Sequence, residues 1–175
     1  MTSRLALLLA LLAWAAPASA AMQRFSIDPT HFSVAFMVSH LGYEKAIGLF
    51  LKGAGSFDLD DEAEKLENIR VEIDADSVFT NHAERDRHLR GPDFLSAREF
   101  PKIAFVGTSV EKAGINRVRI QGELTLLGRK RPITIEATLN KLSNYPIEHR
   151  RRTVGVSARA KLKRSDFGMN YGADN

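Results

Sequence analysis

Alternation of apolar and polar side chains with a period of two residues is the feature that most constrains this chain. Segment 66–78 is the clearest case, because Ile69, Val71 and Ile73 alternate with polar and charged residues. Such alternation predicts strands that cover one face and expose the other. The connections between segments are short, which favours antiparallel neighbours. The same period recurs in segments 32–39, 103–106, 118–126, 133–139 and 154–162.

Glycines interrupt one of these segments. Gly48, Gly53 and Gly55 lie in a stretch that we interpret as one long strand from about Ala46 to Asp60. Glycine inside a strand is typical of bends and of close approach between backbones. Strands of about ten residues exceed the usual five or six, and with the glycines they favour a barrel over a sandwich. We therefore predict an all-β fold, an antiparallel barrel of about eight strands with a short helical insert.

The N-terminal segment differs from the rest of the chain. Arg4 precedes an apolar run over residues 5–16, and an Ala-Ser-Ala tripeptide ends the segment. This order is typical of a secretory signal peptide, and the run is shorter than the ~20 residues of a membrane-spanning helix. We predict a cleaved signal peptide over residues 1–20 and a single exported domain over residues 21–175.

Composition excludes several kinds of site. The 175 residues include no cysteine, so neither thiol catalysis nor a zinc–thiolate centre is available. The net charge is only +4 and no Lys/Arg stripe alternates with aromatic residues, so nucleic-acid binding is not expected. No phosphate-binding loop and no zinc spacing of histidines is found, so we predict no cofactor and no metal.

The basic run 149–152 fits a solvated loop tip or, alternatively, a transient contact with anionic lipid of a membrane.

One block, residues 80–101, concentrates charge in an otherwise strand-rich chain; it reads TNHAERDRHLRGPDFLSAREFP. We predict a helix near residues 82–89, a turn at the following Gly-Pro pair, and a second helical turn near residues 93–98. Leu89 would point inward and anchor the helix. The structural interpretation is a lid packed across one end of the barrel.

The charged side chains of this block also admit a functional interpretation. On a helix, Asp86 and Arg90 are four residues apart, which predicts an ion pair on the outer face, and Glu84 and His88 share that spacing. Alternatively, Arg85 or His88 contacts the polar head of a ligand. An enzyme acting on a lipid-like substrate would use His88 with Asp86 or Arg85. No nucleophile motif or metal spacing completes such a site, so we predict that the protein is not an enzyme.

The chain also resembles a known family through five blocks that occur in the family's order. The blocks are FSIDPTHFSVAFMVSHLG, GLFLKGAGSFDLD, the 80–101 block, IQGELTLLGRKRPI and RSDFG. On these blocks the chain is similar to the YceI-like family of exported lipid-binding proteins. The resemblance implies a lipocalin-like antiparallel β-barrel with a long apolar cavity, a periplasmic location, and binding of polyisoprenoids or related amphiphiles such as isoprenoid quinones. It also implies a carrier without established catalytic residues, and some members form dimers.

The end of the sequence departs from that pattern. Family members usually continue past the RSDFG block with a strand that helps to close the barrel, whereas this sequence stops at Asn175. We therefore expect a truncated chain, a different closure or an open sheet edge, the last of which would invite pairing with another chain. Within the block, we predict that Arg164 and Asp166 pair with each other or with residues 80–101 as a structural clasp.

The apolar strand faces carry the predicted function. Patterning alone favours a solid core, as in a stress or interaction module without a ligand. The resemblance favours a cavity for a long-chain isoprenoid or other amphiphile, and it raises a homodimer as the assembly. The predicted ligand-binding residues are Phe32, Val34, Phe36, Val38, Phe50, Val71, Ile73, Phe105, Ile120, Leu124, Leu126, Ile135, Val156, Arg85 and His88.

Overall fold

The structure is a computed structural model that describes residues 21–172. The predicted signal peptide over residues 1–20 lies outside the described residues. One α-helix, α1 (Ala83–Arg90), and two short 3-10 helices, Ala75–Ser77 and Arg164–Phe167, lie among the strands. The strands are β1 (Gln23–Ser26), β2 (Val34–His40), β3 (Glu44–Phe50), β4 (Gly53–Asp60), β5 (Lys65–Asp74), β6 (Val78–Phe79), β7 (Lys102–Gly114), β8 (Arg117–Leu126), β9 (Arg129–Asn144) and β10 (Arg152–Ala160).

Seven strands form one antiparallel sheet in the order β1-β4-β5-β7-β8-β9-β10, and this sheet curls into a nearly closed barrel. Strands β2, β3 and β6 form a second, smaller sheet. Most neighbouring strands of the barrel sheet are also consecutive in the chain, as expected where turns are short. The predicted antiparallel β-barrel with a short helical insert is confirmed, with seven strands in the barrel sheet.

Two strands bound the barrel sheet. Within residues 21–172, β1 pairs only with β4, and β10 pairs only with β9. The side chains at the end of β10 are exposed, and Val156 in its middle is 49% exposed. The described part of the chain therefore leaves the barrel open between these two edges.

The predicted single strand over residues 46–60 is wrong, because the chain passes from one sheet to the other within it. β3 pairs with β2, and β4 pairs with β1 and β5. Between them, the Leu51 and Lys52 amides donate to the Ser77 carbonyl (3.2 Å) and hydroxyl (3.1 Å). These bonds hold the connection against the 3-10 helix, so the ladder cannot continue straight through.

The helix predicted in the charged block is confirmed as α1, which begins after His82. The His82 ring nitrogen Nδ1 accepts a hydrogen bond from the Arg85 amide at 3.2 Å, as an N-cap does. The second helical turn predicted near residues 93–98 is wrong. The amides of Leu95 and Ala97 donate instead to carbonyls at the end of α1 (2.9 Å each), which folds the segment back as successive turns.

Apolar side chains of the insert close one end of the barrel. Leu95 and Ala97 are buried in one cluster with residues of β3, β7 and β8, and Leu89 packs against that cluster from α1. Phe167 joins it from the second 3-10 helix and is 1% exposed. The predicted inward direction of Leu89 is thus confirmed, and one end of the barrel has a packed core. Within residues 21–172, no helix is long and apolar enough to cross a membrane.

Candidate ligand cavity

The inner face of the barrel sheet borders a wide cavity of about 4720 Å³ that opens to solvent. Ordinary small-molecule pockets measure about 300–1,000 Å³. The larger volume here also takes in space outside the barrel wall, because consecutive residues of β2 and residues 133–140 of β9, from both faces of each strand, border it. Strand register explains its apolar lining. Val71 lies opposite Phe105, and Phe105 lies opposite Leu124, so the three form one row across β5, β7 and β8. Because side chains alternate along each strand, such rows put apolar groups on the same face.

All fifteen predicted ligand-binding residues border this cavity, but they differ in exposure. The buried residues belong to the packed core; they are Phe50, Phe105, Ile120, Leu124 and Leu126. The half-buried residues line the wall; they are Phe32, Val34, Phe36, Val71, Ile73 and Ile135. The exposed residues are Val38, Val156, Arg85 and His88. The barrel therefore combines a solid end with an open apolar volume, and ligand contact by these residues stays a prediction.

Two aromatic rings, one in the cavity wall and one in the packed core, lie across glycines of neighbouring strands. An added Cβ at Gly53 would be 2.2 Å from the Phe32 ring, and one at Gly122 would be 2.4 Å from the Phe105 ring. A side chain at either glycine would displace a ring. These in-strand glycines therefore make room for aromatic rings, as the expected close approach requires.

Asp86 contradicts the prediction of an outer-face ion pair with Arg90. Its side chain is only 5% exposed, and Oδ1 accepts hydrogen bonds from the Thr80 amide (2.8 Å) and hydroxyl (2.5 Å). Arg85 reinforces the same corner, because its Nε donates to the Thr80 hydroxyl at 2.7 Å. The acid and the neighbouring arginine thus hold the entry to α1 in place and have little free capacity for a substrate.

The other predicted pairs of the helix are also replaced. Arg90 reaches backward, with Nε donating to the Asp76 carbonyl and Nη2 to the Val78 carbonyl, both at 2.8 Å. Glu84 pairs with Arg87 three residues on, so the predicted contact with His88 is wrong. The helix is therefore attached to the preceding 3-10 helix and β6 by an arginine fork.

His88 belongs to an aromatic cluster at the edge of the cavity. Its ring stands edge-on to Phe94 (4.9 Å between centroids) and to Tyr171 (5.1 Å), and Phe94 and Tyr171 lie 5.3 Å apart. His88 Nε2 also lies 3.1 Å from Asp93 Oδ2. We call His88, Phe94 and Tyr171 the aromatic cluster. Sequence reasoning did not include Tyr171, because it is 83 positions from His88 and no pattern links the two.

Arg164 completes this region. Its guanidinium carbon lies 5.8 Å from the centroid of the Phe94 ring, a cation–π arrangement that joins the RSDFG block to the charged block. The predicted contact between these two blocks therefore exists, although an aromatic ring replaces the expected acid. Arg164 also borders the cavity, which makes it a candidate site residue that sequence reasoning assigned to a clasp alone.

One carboxyl group at the cavity rim, that of Asp28, has a lowered pKa. In the β1–β2 connection, the His31 ring (2.9 Å) and the Thr30 hydroxyl (2.7 Å) and amide (2.8 Å) hydrogen-bond the Asp28 carboxylate. Led by the bond from His31, these contacts lower the pKa of Asp28 to about 2. Among residues 21–172, no three His, Asp or Glu side chains lie close enough together to hold a metal ion.

The fold and the cavity together define a class: an antiparallel β-barrel with an apolar interior, a helical segment packed at one end, and an open cavity. Comparison with known proteins identifies the family. The sequence model of the YceI-like domain family matches residues 25–175. The chain is 39% identical over 153 residues to Protein YceI of Salmonella arizonae and equally to that of Salmonella paratyphi B, covering 86% of this chain and 78% of each relative.

Solved structures agree in fold. A YceI protein of Campylobacter jejuni superposes with a TM-score of 0.68 at 27% identity, over 86% of this chain and 87% of that one. BcnA of Burkholderia cenocepacia superposes with a TM-score of 0.70 at 22% identity, over 81% and 83% of the two chains. The chain belongs to the YceI-like domain family.

Proposed function

We propose that this protein is an exported binding protein that holds a polyisoprenoid chain, such as that of an isoprenoid quinone, or a similar long-chain amphiphile. The domain that carries this function would be residues 21–175, delivered to the periplasm by the signal peptide over residues 1–20. The observation that carries the proposal is the apolar inner face of the barrel beside an open cavity of about 4720 Å³.

Energetics support an apolar chain as the occupant. Transfer of each CH₂ group from water to an apolar wall contributes about 0.8 kcal/mol, so a prenyl chain gains enough to offset the losses of freedom on binding. The half-buried side chains of Phe36, Val71 and Ile135 supply such a wall. Its ligand needs length and little polarity, which fits a prenyl chain better than a small polar metabolite.

A role in binding without catalysis is supported by how the charged block is used. Arg85 and Asp86 are both hydrogen-bonded to Thr80, and His88 lies against two aromatic rings and Asp93. A catalytic group needs a nucleophile or proton partner within about 3 Å and a position facing the substrate. Because the side chains around Thr80 are already hydrogen-bonded, they fit a structural role in holding the insert better than a catalytic role.

The test is to produce the protein with its signal peptide in a bacterial periplasm, extract the purified protein with organic solvent, and identify lipids by mass spectrometry. Uptake of an added prenyl quinone is measured in parallel on delipidated protein. We expect a long-chain isoprenoid or amphiphile at about one molecule per chain. Consistent absence of lipid together with no uptake would refute the proposal.

A matched pair of variants connects binding to the cavity. Val71 and Glu72 are neighbours on β5 with side chains on opposite faces, and Val71 borders the cavity. Val71→Trp fills part of the cavity and should weaken quinone uptake, whereas Glu72→Trp should leave uptake unchanged. Equal uptake by both variants would argue for a surface site, as in the interaction-module alternative.

The same purified protein tests the remaining alternatives, which are an enzyme, a homodimer and a membrane contact. An enzyme using Arg85, Asp86 and His88 would turn over the bound lipid, so products would appear in wild type and vanish in His88→Ala. A homodimer would be seen by analytical ultracentrifugation. Contact of the basic run 149–152 with anionic lipid would be seen by flotation with phosphatidylglycerol vesicles.

A further inference from the structure

The guanidinium of Arg164 is the group whose position the fold alone does not account for. Arg164 starts the 3-10 helix that closes the barrel end, and its main-chain carbonyl accepts hydrogen bonds from the Gly168 and Met169 amides. The backbone role thus needs no particular side chain. The neighbour that fills the core is Phe167, not Arg164.

One nitrogen of this guanidinium lacks a hydrogen-bond acceptor. Nη1 of Arg164 is buried, and no atom of residues 21–172 accepts a hydrogen bond from it. A buried cationic donor without an acceptor is unfavourable, because the lost hydration is not replaced. Stacking on Phe94 compensates only in part, since it engages the face of the group and not its N–H bonds.

Two acids near the aromatic cluster in the chain, Asp86 and Asp93, already have hydrogen-bond partners. Asp93 is 3.1 Å from His88, and the Asp86 carboxylate accepts from Thr80. Asp166, two residues from Arg164, has an exposed side chain, and its carbonyl accepts from Arg131 Nε at 3.0 Å. Arg131 also borders the cavity, so a second guanidinium faces the same space.

We propose that Arg164 is the anchor for an anionic oxygen, a carboxylate or a phosphate, carried on the head of the long apolar ligand. The inference rests on the proposed function, because the apolar chain would occupy the cavity described above. Arginine side chains rotate readily, and a turn from the Phe94 ring toward the cavity would give Nη1 its missing acceptor. The aromatic cluster would then border the head group, and the chain would run along the apolar wall.

The experiment compares ligands with one chain and different heads at pH 7.5. Geranylgeraniol, geranylgeranoic acid and geranylgeranyl phosphate are titrated into delipidated wild-type protein, and inorganic phosphate alone is titrated as the chain-free arm. We expect the two anionic lipids to bind at least about tenfold more tightly than the alcohol, as a charge-assisted hydrogen bond to arginine provides. Free phosphate should bind far more weakly than the phosphate lipid.

Two variants test whether Arg164 causes the preference for anionic lipids over the alcohol. Arg164→Gln should abolish the difference between acid and alcohol, and far-UV circular dichroism reports whether the variant barrel is folded. Arg87→Gln removes the same charge from an exposed position of α1 outside the cavity lining and should keep the full preference. Equal binding of acid and alcohol by wild type, or an intact preference in Arg164→Gln, would overturn the anchor and leave the lipid-binding proposal standing.

Failure of every lipid to bind wild type would instead overturn the proposed function, and the anchor with it. A measurement on wild type covers the case in which Arg164→Gln does not fold. The side-chain ¹⁵N signal of Arg164, identified by its loss in Arg164→Lys, should shift on addition of the acid and not of the alcohol. An unshifted signal at saturating acid would overturn the anchor.

Discussion

Phe36 lies directly opposite Gly48 in the β2–β3 pair, and its ring fills the space that a side chain at Gly48 would occupy. The two residues are register partners, and an added Cβ at position 48 would be 2.2 Å from the Phe36 ring. The same ring lies tilted against the Phe50 ring, 5.4 Å away between centroids and 43° between ring planes. The glycine is thus required by the packing of an aromatic ring at the cavity wall.

Gly48→Ala should destabilise the protein by about 1–3 kcal/mol, because the methyl group overpacks a site already filled by the ring. Gly155→Ala is the control, since a Cβ there would meet its nearest atom at an ordinary 3.7 Å. Urea denaturation followed by circular dichroism measures both. Equal midpoints for the two variants would contradict the packing argument.

Asp86→Ala should cost about 1–3 kcal/mol of folding free energy, because the part-buried Thr80 amide and hydroxyl lose their acceptor. Glu84→Ala alters the same turn of the same helix at an exposed position and should cost less than about 1 kcal/mol. The comparison is made by thermal unfolding at neutral pH. A larger loss in Glu84→Ala would show that surface pairing, and not the buried acid, holds the helix.

Arg90→Ala should loosen the charged block locally, because two main-chain carbonyls lose charged donors. Amide hydrogen exchange across residues 75–101 is expected to accelerate by about tenfold or more, while exchange in β8 changes little. Arg87→Ala, which breaks only an exposed ion pair, provides the matched control. Unchanged exchange in Arg90→Ala would mean that apolar anchors alone attach the helix.

The Asp28 carboxyl should titrate with a midpoint near pH 2 in the folded protein, below its ordinary value of 3.8. Because the folded pKa is lowered, the stabilisation linked to this group is complete above pH 4 and is lost as the pH falls toward 2. ¹³C NMR of the side-chain carboxyl measures the midpoint. His31→Ala should raise it toward the ordinary value, and the distant His149→Ala should leave it in place.

Local rules account for most of the strands and for the helix. Alternation about Ile69, Val71 and Ile73 identifies β5 and its inner face, because a half-covered strand leaves no other arrangement of apolar groups. The helix α1 is equally local, since it follows a capping residue, His82, and ends where Gly91 and Pro92 follow.

Contacts between residues far apart in the sequence cannot be predicted from such local rules. The sheet change at Leu51 and Lys52 depends on bonds to Ser77, 25 residues away from Lys52. Asp86 has the spacing of a surface ion pair, and only the folded chain reveals Thr80 as its partner. The contact of Arg164 with Phe94 joins residues 70 positions apart, so a local sequence pattern could not predict it.

The open seam between β1 and β10 has a kinetic consequence. A long prenyl chain that had to be threaded through a closed ring would enter one unit at a time, and its association rate would fall with chain length. A barrel whose edge strands β1 and β10 stay unpaired with each other would admit the chain broadside instead. Loading would then proceed at rates nearly independent of the number of isoprene units, while release would slow with each unit added.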